Sequence, residues 1–420
     1  MARKVAPVPS PDAAADSSFS GIPHNHTGPM SLPESAAPNA PAPLQRVGSV
    51  DLLRGAVMVV MALDHTRDYF LILPFQPEDL AQSNLPLFLT RWITHFCAPV
   101  FFLLAGTGTG FALMRGRTPA QASRFLFTRG LWLVVLELTV VAIAWNFNFK
   151  LFPAVGLVIW ALGWSMVALA VLIRLPRTLM ISVSVAMIVL HNLTDGVTAA
   201  SVGQWGPLWT VLHVQETATP WLFAGYPLIP WIGVMALGYA LADVYRWDAP
   251  RRRRFLLRLG TVVTLAFIVI RAINLYGDPE AWTTQRNFGL TIASFLNTWK
   301  YPPSLDYLLM TLGPMLIVLA LLERAQGTFA RWITVFGRVP MFYYILHLYL
   351  IHSLAIVLGL LQGGAKALEI TPETGIPAWY GLPLYGTYLV WALVIVILYF
   401  PCRWFAAVKA RRRDWWLSYI

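Results

Sequence analysis

The chain has 420 residues, 57% of them hydrophobic and only 12% charged, against about 25% charged in an ordinary soluble domain, which excludes a soluble globular protein. Its net charge is +11, yet the charges fall in short clusters between long apolar runs, with no basic face on a water-exposed domain, so no nucleic-acid partner is expected. Cys97 and Cys402 each lie in or beside an apolar run; they cannot make a disulfide framework and carry no redox or zinc signal.

Residues 1–45 are rich in Pro, Ala, Ser and Asn and lack an apolar stretch of signal-peptide type, so they read as a disordered cytoplasmic tail. From 46 to 420 the chain reads as one transmembrane domain. Ten apolar stretches follow, each near the roughly 20 residues needed to cross about 30 Å of hydrocarbon: 47–70, 92–114, 125–145, 152–173, 178–192, 222–245, 255–275, 305–322, 335–361 and 381–408. The fifth is short. The expected fold class is all-α, a polytopic membrane protein of about ten transmembrane helices. Eighteen Trp and fifteen Tyr suit aromatic belts at the bilayer interfaces.

The loops between these stretches bear on orientation, because short cytoplasmic loops carry the Lys and Arg excess. With the tail inside, the inner loops and C-terminal segment hold 20 basic residues and the outer loops and helix ends hold 7. The net positive charge thus reads largely as a topology signal, with both termini cytoplasmic and an even number of spans.

No GxxxxGK[ST], HExxH or GxSxG pattern occurs that would name a soluble chemistry. GTGTG at Gly106–Gly110 follows an apolar helix rather than a strand, so close helix packing through small residues is its expected use.

Charge inside hydrocarbon costs about 2.5 kcal/mol or more per residue, which makes intramembrane ionisable groups functional candidates. The first span, SVDLLRGAVMVVMALDHTRDYF, is the densest. At about 100° and 1.5 Å per residue, Arg54 and His65 fall within about 20° of one face and about 16 Å apart. Asp51, Arg54, Met58, Met61, His65 and Asp68 therefore form a stripe that should face other helices or a wet cavity. Arg54 can present a bidentate fork to phosphate or carboxyl oxygen. His65, near the outer third, can take a proton from a hydroxyl or amine or accept an acyl group, with Asp64 or Asp68 fixing its tautomer.

Other spans add polar groups at similar depths: His95, Glu137, His347 with His352 beyond it, and Lys300 beside Asn297 and Tyr301 at an outer mouth. The histidines lack an HxxxH or similar spacing and no thiolate joins them, so no metal is expected.

Several segments carry a resemblance. The Arg-Gly of Arg54, followed by His65, resembles the first-span signature of membrane acyltransferases that modify glycans, and FFLLAGTGTGF resembles the FFxLSGF stretch of that group. RVGSVDLLRGAVMVVMALDH, THFCAPVFFLLAG, YPLIPWIGVMALGYA, KYPPSL, FGRVPMFYYILHLYLIH and RRRDWWLSYI together resemble a bacterial membrane-protein family grouped with the catalytic domain of heparan-α-glucosaminide N-acetyltransferase. The resemblance covers roughly residues 46–420. It implies transfer of an acyl group, usually acetyl, from cytoplasmic acyl-CoA to a sugar across the membrane. In the heparan-type enzymes an Asn stands at about the place of His65 and the His associated with transfer lies further downstream; here no His occurs between Thr66 and Thr94. The large extra domain of the heparan enzyme is also missing, which makes heparan itself an unexpected substrate.

The reading that follows is an integral protein of a bacterial inner membrane that acylates a carbohydrate acceptor with acetyl-CoA or another acyl-CoA as co-substrate. Arg54, Arg115, Arg117 and Arg129 would hold the CoA phosphates. His65 would be base or acyl carrier, oriented by Asp64 or Asp68, and His95, Asn297, Lys300 and His347 would line the acceptor side. A homodimer is left open. The rival is a transporter or flippase whose substrate path uses the same charged groups, favoured by Glu137 and His347 at mid-span.

Overall fold

The computed structural model describes residues 48–369, 377–412 and 414–419, and the tail expected at 1–45 lies outside them. Among the described residues the helices are, in chain order, α1 Gly48–Phe70, α2 Leu85–Trp92, α3 Cys97–Met114, α4 Pro119–Leu136, α5 Ala142–Asn146, α6 Val158–Leu172, α7 Arg177–Val189, α8 Gly206–His213, α9 Ile229–Leu241, α10 Ala249–Ile273, α11 Phe288–Leu296, α12 Leu305–Leu322, α13 Thr328–Arg338, α14 Pro340–Gly363 and α15 Leu384–Arg411. Each of the ten expected stretches contains a helix. Six helical runs are long and apolar enough to cross a membrane: Leu85–Met114, Pro119–Asn146, Ala249–Ile273, Leu305–Leu322, Pro340–Leu368 and Leu384–Arg411. The α6 and α7 helices are apolar but shorter.

Three of the expected stretches are broken near one end, each at a helix breaker. Pro153 and Gly156, and likewise Pro220 and Gly225, interrupt helical hydrogen bonding. The backbone there pairs between segments instead, giving a small sheet in an otherwise helical molecule. Strands β1 (Ala154–Gly156), β2 (Thr217–Thr219) and β3 (Leu222–Ala224) lie in the order β1-β3-β2, with β1 parallel and β2 antiparallel to β3. The stretch 335–361 divides because Pro340, which has no amide hydrogen to donate, opens α14 just after α13 ends.

Helix α1 carries five charged residues, and it survives in an apolar protein because it packs against α3, α12, α13, α14 and α15. Its closest neighbour is reached through glycine. A Cβ on Gly55 would lie 2.2 Å from the Ile333 carbonyl oxygen, and one on Gly337 would lie 1.9 Å from that of Asp51. Backbone-to-backbone contact of this kind needs residues without a side chain.

Glu137 begins a π-helical turn, Glu137–Val141, between α4 and α5. Its buried carboxylate accepts from the backbone amides of Ile159 and Trp160 at 3.0 and 3.2 Å. These are otherwise orphan donors of the first turn of α6, where negative charge is favoured.

Candidate active site

Arg54, Met58 and Met61 of the α1 stripe face a cavity of about 340 Å³ bordered by α1, α3, α4, α6 and α14. Five cationic side chains line it: Arg54, Arg117, Arg129, Arg338 and Lys409. From that end the wall becomes apolar along α1 through Met58 and Met61, and along α14 through Met341 to Tyr344. The Tyr344 ring stands edge-on to both His65 and His347, at centroid distances of 6.2 and 5.4 Å. The cavity therefore leads from a cluster of positive charge to the neighbourhood of two histidines.

The cations are held in place individually. Arg54 donates to the Asp51 carboxylate at 3.1 Å and to the Gly337 carbonyl at 3.2 Å. Arg129 donates to the Ser418 carbonyl at 2.9 Å, so the segment Trp415–Ser418 folds back onto α4. The Arg117 and Arg129 guanidinium groups lie 4.5 and 5.8 Å from the centre of the Phe125 ring, a cation–π arrangement. Arg115 departs from the expectation: it is exposed and does not line the cavity, because it caps the end of α3 and the chain turns at Gly116 (φ 94°) before Arg117. Arg338 and Lys409 take part instead; the sequence had shown them only as topology charges.

His65 bonds to His347, its Nδ1 lying 2.7 Å from His347 Nε2 with the rings stacked at 4.9 Å. His347 Nδ1 is 3.1 Å from the Tyr343 carbonyl oxygen. That oxygen can only accept, so His347 carries its hydrogen on Nδ1 and its neutral ring presents a lone pair at Nε2. His65 must then donate from Nδ1, which leaves His65 Nε2 as a basic lone pair. The Trp145 ring meets His65 edge-on at 5.1 Å. His347, expected on the acceptor side, is the residue that hydrogen-bonds to His65, the position expected for Asp64 or Asp68.

Those two carboxylates are engaged elsewhere. Asp64 accepts from Arg91 at 2.8 and 2.9 Å and from the Thr94 hydroxyl at 2.9 Å, and pairs with Arg67 at 3.0 Å. Asp68 pairs with Arg67. Arg91 also binds Glu78, and the Asn297 amide donates to the Glu78 carbonyl at 3.1 Å. His95 is buried 3.8 Å from the Glu78 carboxylate, beyond hydrogen-bond length, and neither ring nitrogen has a partner among the described residues. Burial alone would raise the Glu78 carboxyl, but the Arg91 guanidinium bonded to it holds it below the ordinary carboxylate range. Lys300 is buried with its ammonium 5.1 Å from the Tyr301 ring centre, and its charge acts on Asp64 and His95. His95, Asn297 and Lys300 are therefore grouped around an Arg91–Glu78 pair that sequence reasoning did not single out. Arg91 was one of the seven outer basic residues counted in the sequence, and Glu78 was not singled out.

Residues 46–282 match the model of a family described as heparan-alpha-glucosaminide N-acetyltransferase, catalytic. No match to a curated protein was found. The matched stretch runs from before α1 through α10, while α13, α14 and α15, which supply Arg338, Tyr344, His347 and Lys409, lie beyond it. It takes in more than half of the chain, including the Arg54–His65 helix, and on that match this helical protein with membrane-crossing segments belongs to the heparan-alpha-glucosaminide N-acetyltransferase catalytic family.

Proposed function

We propose that this chain moves an acetyl or related acyl group from cytoplasmic acyl-CoA to a sugar or glycan acceptor on the other side of the membrane. The observation that carries the reading is the cavity that runs from five cations to Tyr344, whose ring stands against the His65–His347 pair. Guanidinium and ammonium groups suit the CoA phosphates. The apolar length between Arg54 and Tyr344 suits a thioester arm, and Tyr344 stands against both histidines. Both termini and the basic loops lie on the cytoplasmic side in this reading, with about ten helical passes counting α1, α6, α7 and α9. Residues 46–420 make up the acyltransferase domain.

In the transfer step the acceptor oxygen or nitrogen gives its proton to His65 Nε2 and forms a bond to the thioester carbonyl carbon. The resulting oxyanion collapses, the carbon–sulfur bond breaks, and the CoA sulfur leaves with the proton returned from His65. His347 accepts from His65 Nδ1 throughout and keeps the ring from turning. Should His65 itself attack first, the same geometry presents its Nε2 to the thioester and the acyl group then passes from His65 to the acceptor. His95, Asn297 and Lys300 line the acceptor side, with Asp64 and Asp68 fixing the arginines beside it.

Purified protein in lipid tests this directly. CoA should raise the melting temperature of the wild type, and Arg54→Ala and Arg117→Ala should lose most of that rise. His65→Ala should keep the rise but transfer no label from acetyl-CoA to a sugar acceptor. Transfer at the wild-type rate by His65→Ala would overturn the role of His65. Solute counterflow in liposomes without CoA, together with no stabilisation by CoA, would replace the enzyme with the transporter or flippase. Glu137, which had favoured that rival, has its carboxylate engaged at the start of α6.

A further inference from the structure

The GTGTG run uses its glycines in two ways. A Cβ on Gly106 would lie 1.9 Å from the Met235 carbonyl oxygen, and one on Gly110 would lie 2.2 Å from the Ala242 Cβ. These two glycines let α3 approach α9 and the turn that follows it. Gly108, two residues from each, points the other way: a Cβ there would meet nothing within 4 Å, and the residue lies on the wall of the cationic cavity. Its φ is not positive and it caps no helix, so neither backbone conformation nor packing requires glycine at this position. A glycine inside a helix weakens it relative to alanine. The feature it provides is bare wall, flanked on the same helix face by the small side chains of Ala105 and Ala112. Six residues before the end of α3, it stands about 9 Å in from that end.

We propose that Gly108 is a specificity-determining residue of the donor cavity. Its missing side chain leaves open the bore through which the unbranched thioester arm of an acyl-CoA passes from the cationic mouth to His65. This rests on the donor reading above and adds to it the position that decides which donors pass.

The experiment uses the full chain in lipid with two probes, CoA and adenosine 3′,5′-bisphosphate, the second carrying phosphate groups without the arm. Gly108→Ala and Gly108→Leu should melt no lower than the wild type without ligand, since both side chains enter open space. CoA affinity should fall by less than about threefold in Gly108→Ala and by at least about tenfold in Gly108→Leu, while the bisphosphate binds all three proteins alike. Wild-type CoA affinity in Gly108→Leu would overturn the proposal. Gly108→Cys supplies a second arm that does not depend on Leu being tolerated. Cys97 and Cys402 are buried, so a small thiol reagent should modify position 108 first. CoA should slow that modification, the bisphosphate should not, and modification unaffected by CoA would likewise overturn the proposal. A wild type that binds neither probe would instead overturn the donor reading itself.

Discussion

In the proposed transfer His65 and His347 form a base with no carboxylate hydrogen-bonded to it among the described residues. In a helical bundle a neutral imidazole does this work at lower desolvation cost than an aspartate, because only one charge appears, and only during reaction. His347 is accordingly a positioning residue in that proposal. His347→Ala should lower kcat by about 10²-fold with the KM for acyl-CoA nearly unchanged. His347→Gln, whose side-chain oxygen can still accept from Nδ1, should recover part of the loss; steady-state assays with labelled acetyl-CoA separate the two parameters. Glu78 offers a test by pH. Its folded pKa is depressed, so the stability it adds is fully present above the ordinary Glu value of about 4.3 and is lost as pH falls toward the folded value. The melting-temperature gap between wild type and Glu78→Gln should therefore be constant from pH 8 to about 5 and narrow below that.

At the scale of elements, the α1–α13 contact fixes the mouth of the cavity. Gly55→Ala must push Ile333 away, and overpacking of this kind costs about 1–3 kcal/mol. It also shifts the Gly337 carbonyl that holds Arg54. The variant should melt lower and show a smaller rise on adding CoA, both read in one thermal scan. Much of this was legible in the sequence. The spacing of Arg54, Met58 and Met61 placed all three on one face, and all three line one cavity. The GTGTG run was expected to pack helices, and Gly106 and Gly110 do so. The orientation of His65 was not legible, because its partner is 282 residues away and no local spacing can register such a contact. Asp68, one turn after His65, looked like the partner on the helix wheel, but the adjacent Arg67 claims it.

Across the whole molecule, two properties of the chain separate. Where helices start and stop follows from composition and from Pro and Gly positions, and the expected stretches all hold helices. Which helices surround which does not follow from either, so the grouping of Arg338, Tyr344, His347 and Lys409 with α1 became visible only in three dimensions. The proposed orientation can be checked on the same scale. Single cysteines replacing Arg253 and Lys366 sit on opposite sides if α10 to α14 alternate as proposed, and the buried Cys97 and Cys402 give little background. An impermeant maleimide added to right-side-out vesicles should label Lys366→Cys and spare Arg253→Cys, with the pattern reversed in inside-out vesicles. Equal labelling of both on one side would refute the arrangement.

Helix α1 is also the first of these helices to leave the ribosome, long before α13 and α14 exist to shelter its charges. Its pairing explains how it can wait. Asp51 and Arg54, and Asp64 and Arg67, are each one turn apart and bonded within the helix, so most of its charge is cancelled by its own residues before any partner arrives. That local cancellation lowers the cost of entering the bilayer alone. Asp64→Asn, which leaves Arg67 with only Asp68 on its own helix, should therefore reduce the amount of protein inserted into membranes during synthesis. Fractionation of newly made chains, carried out on fragments ending before α13, measures that effect apart from the stability of the finished bundle.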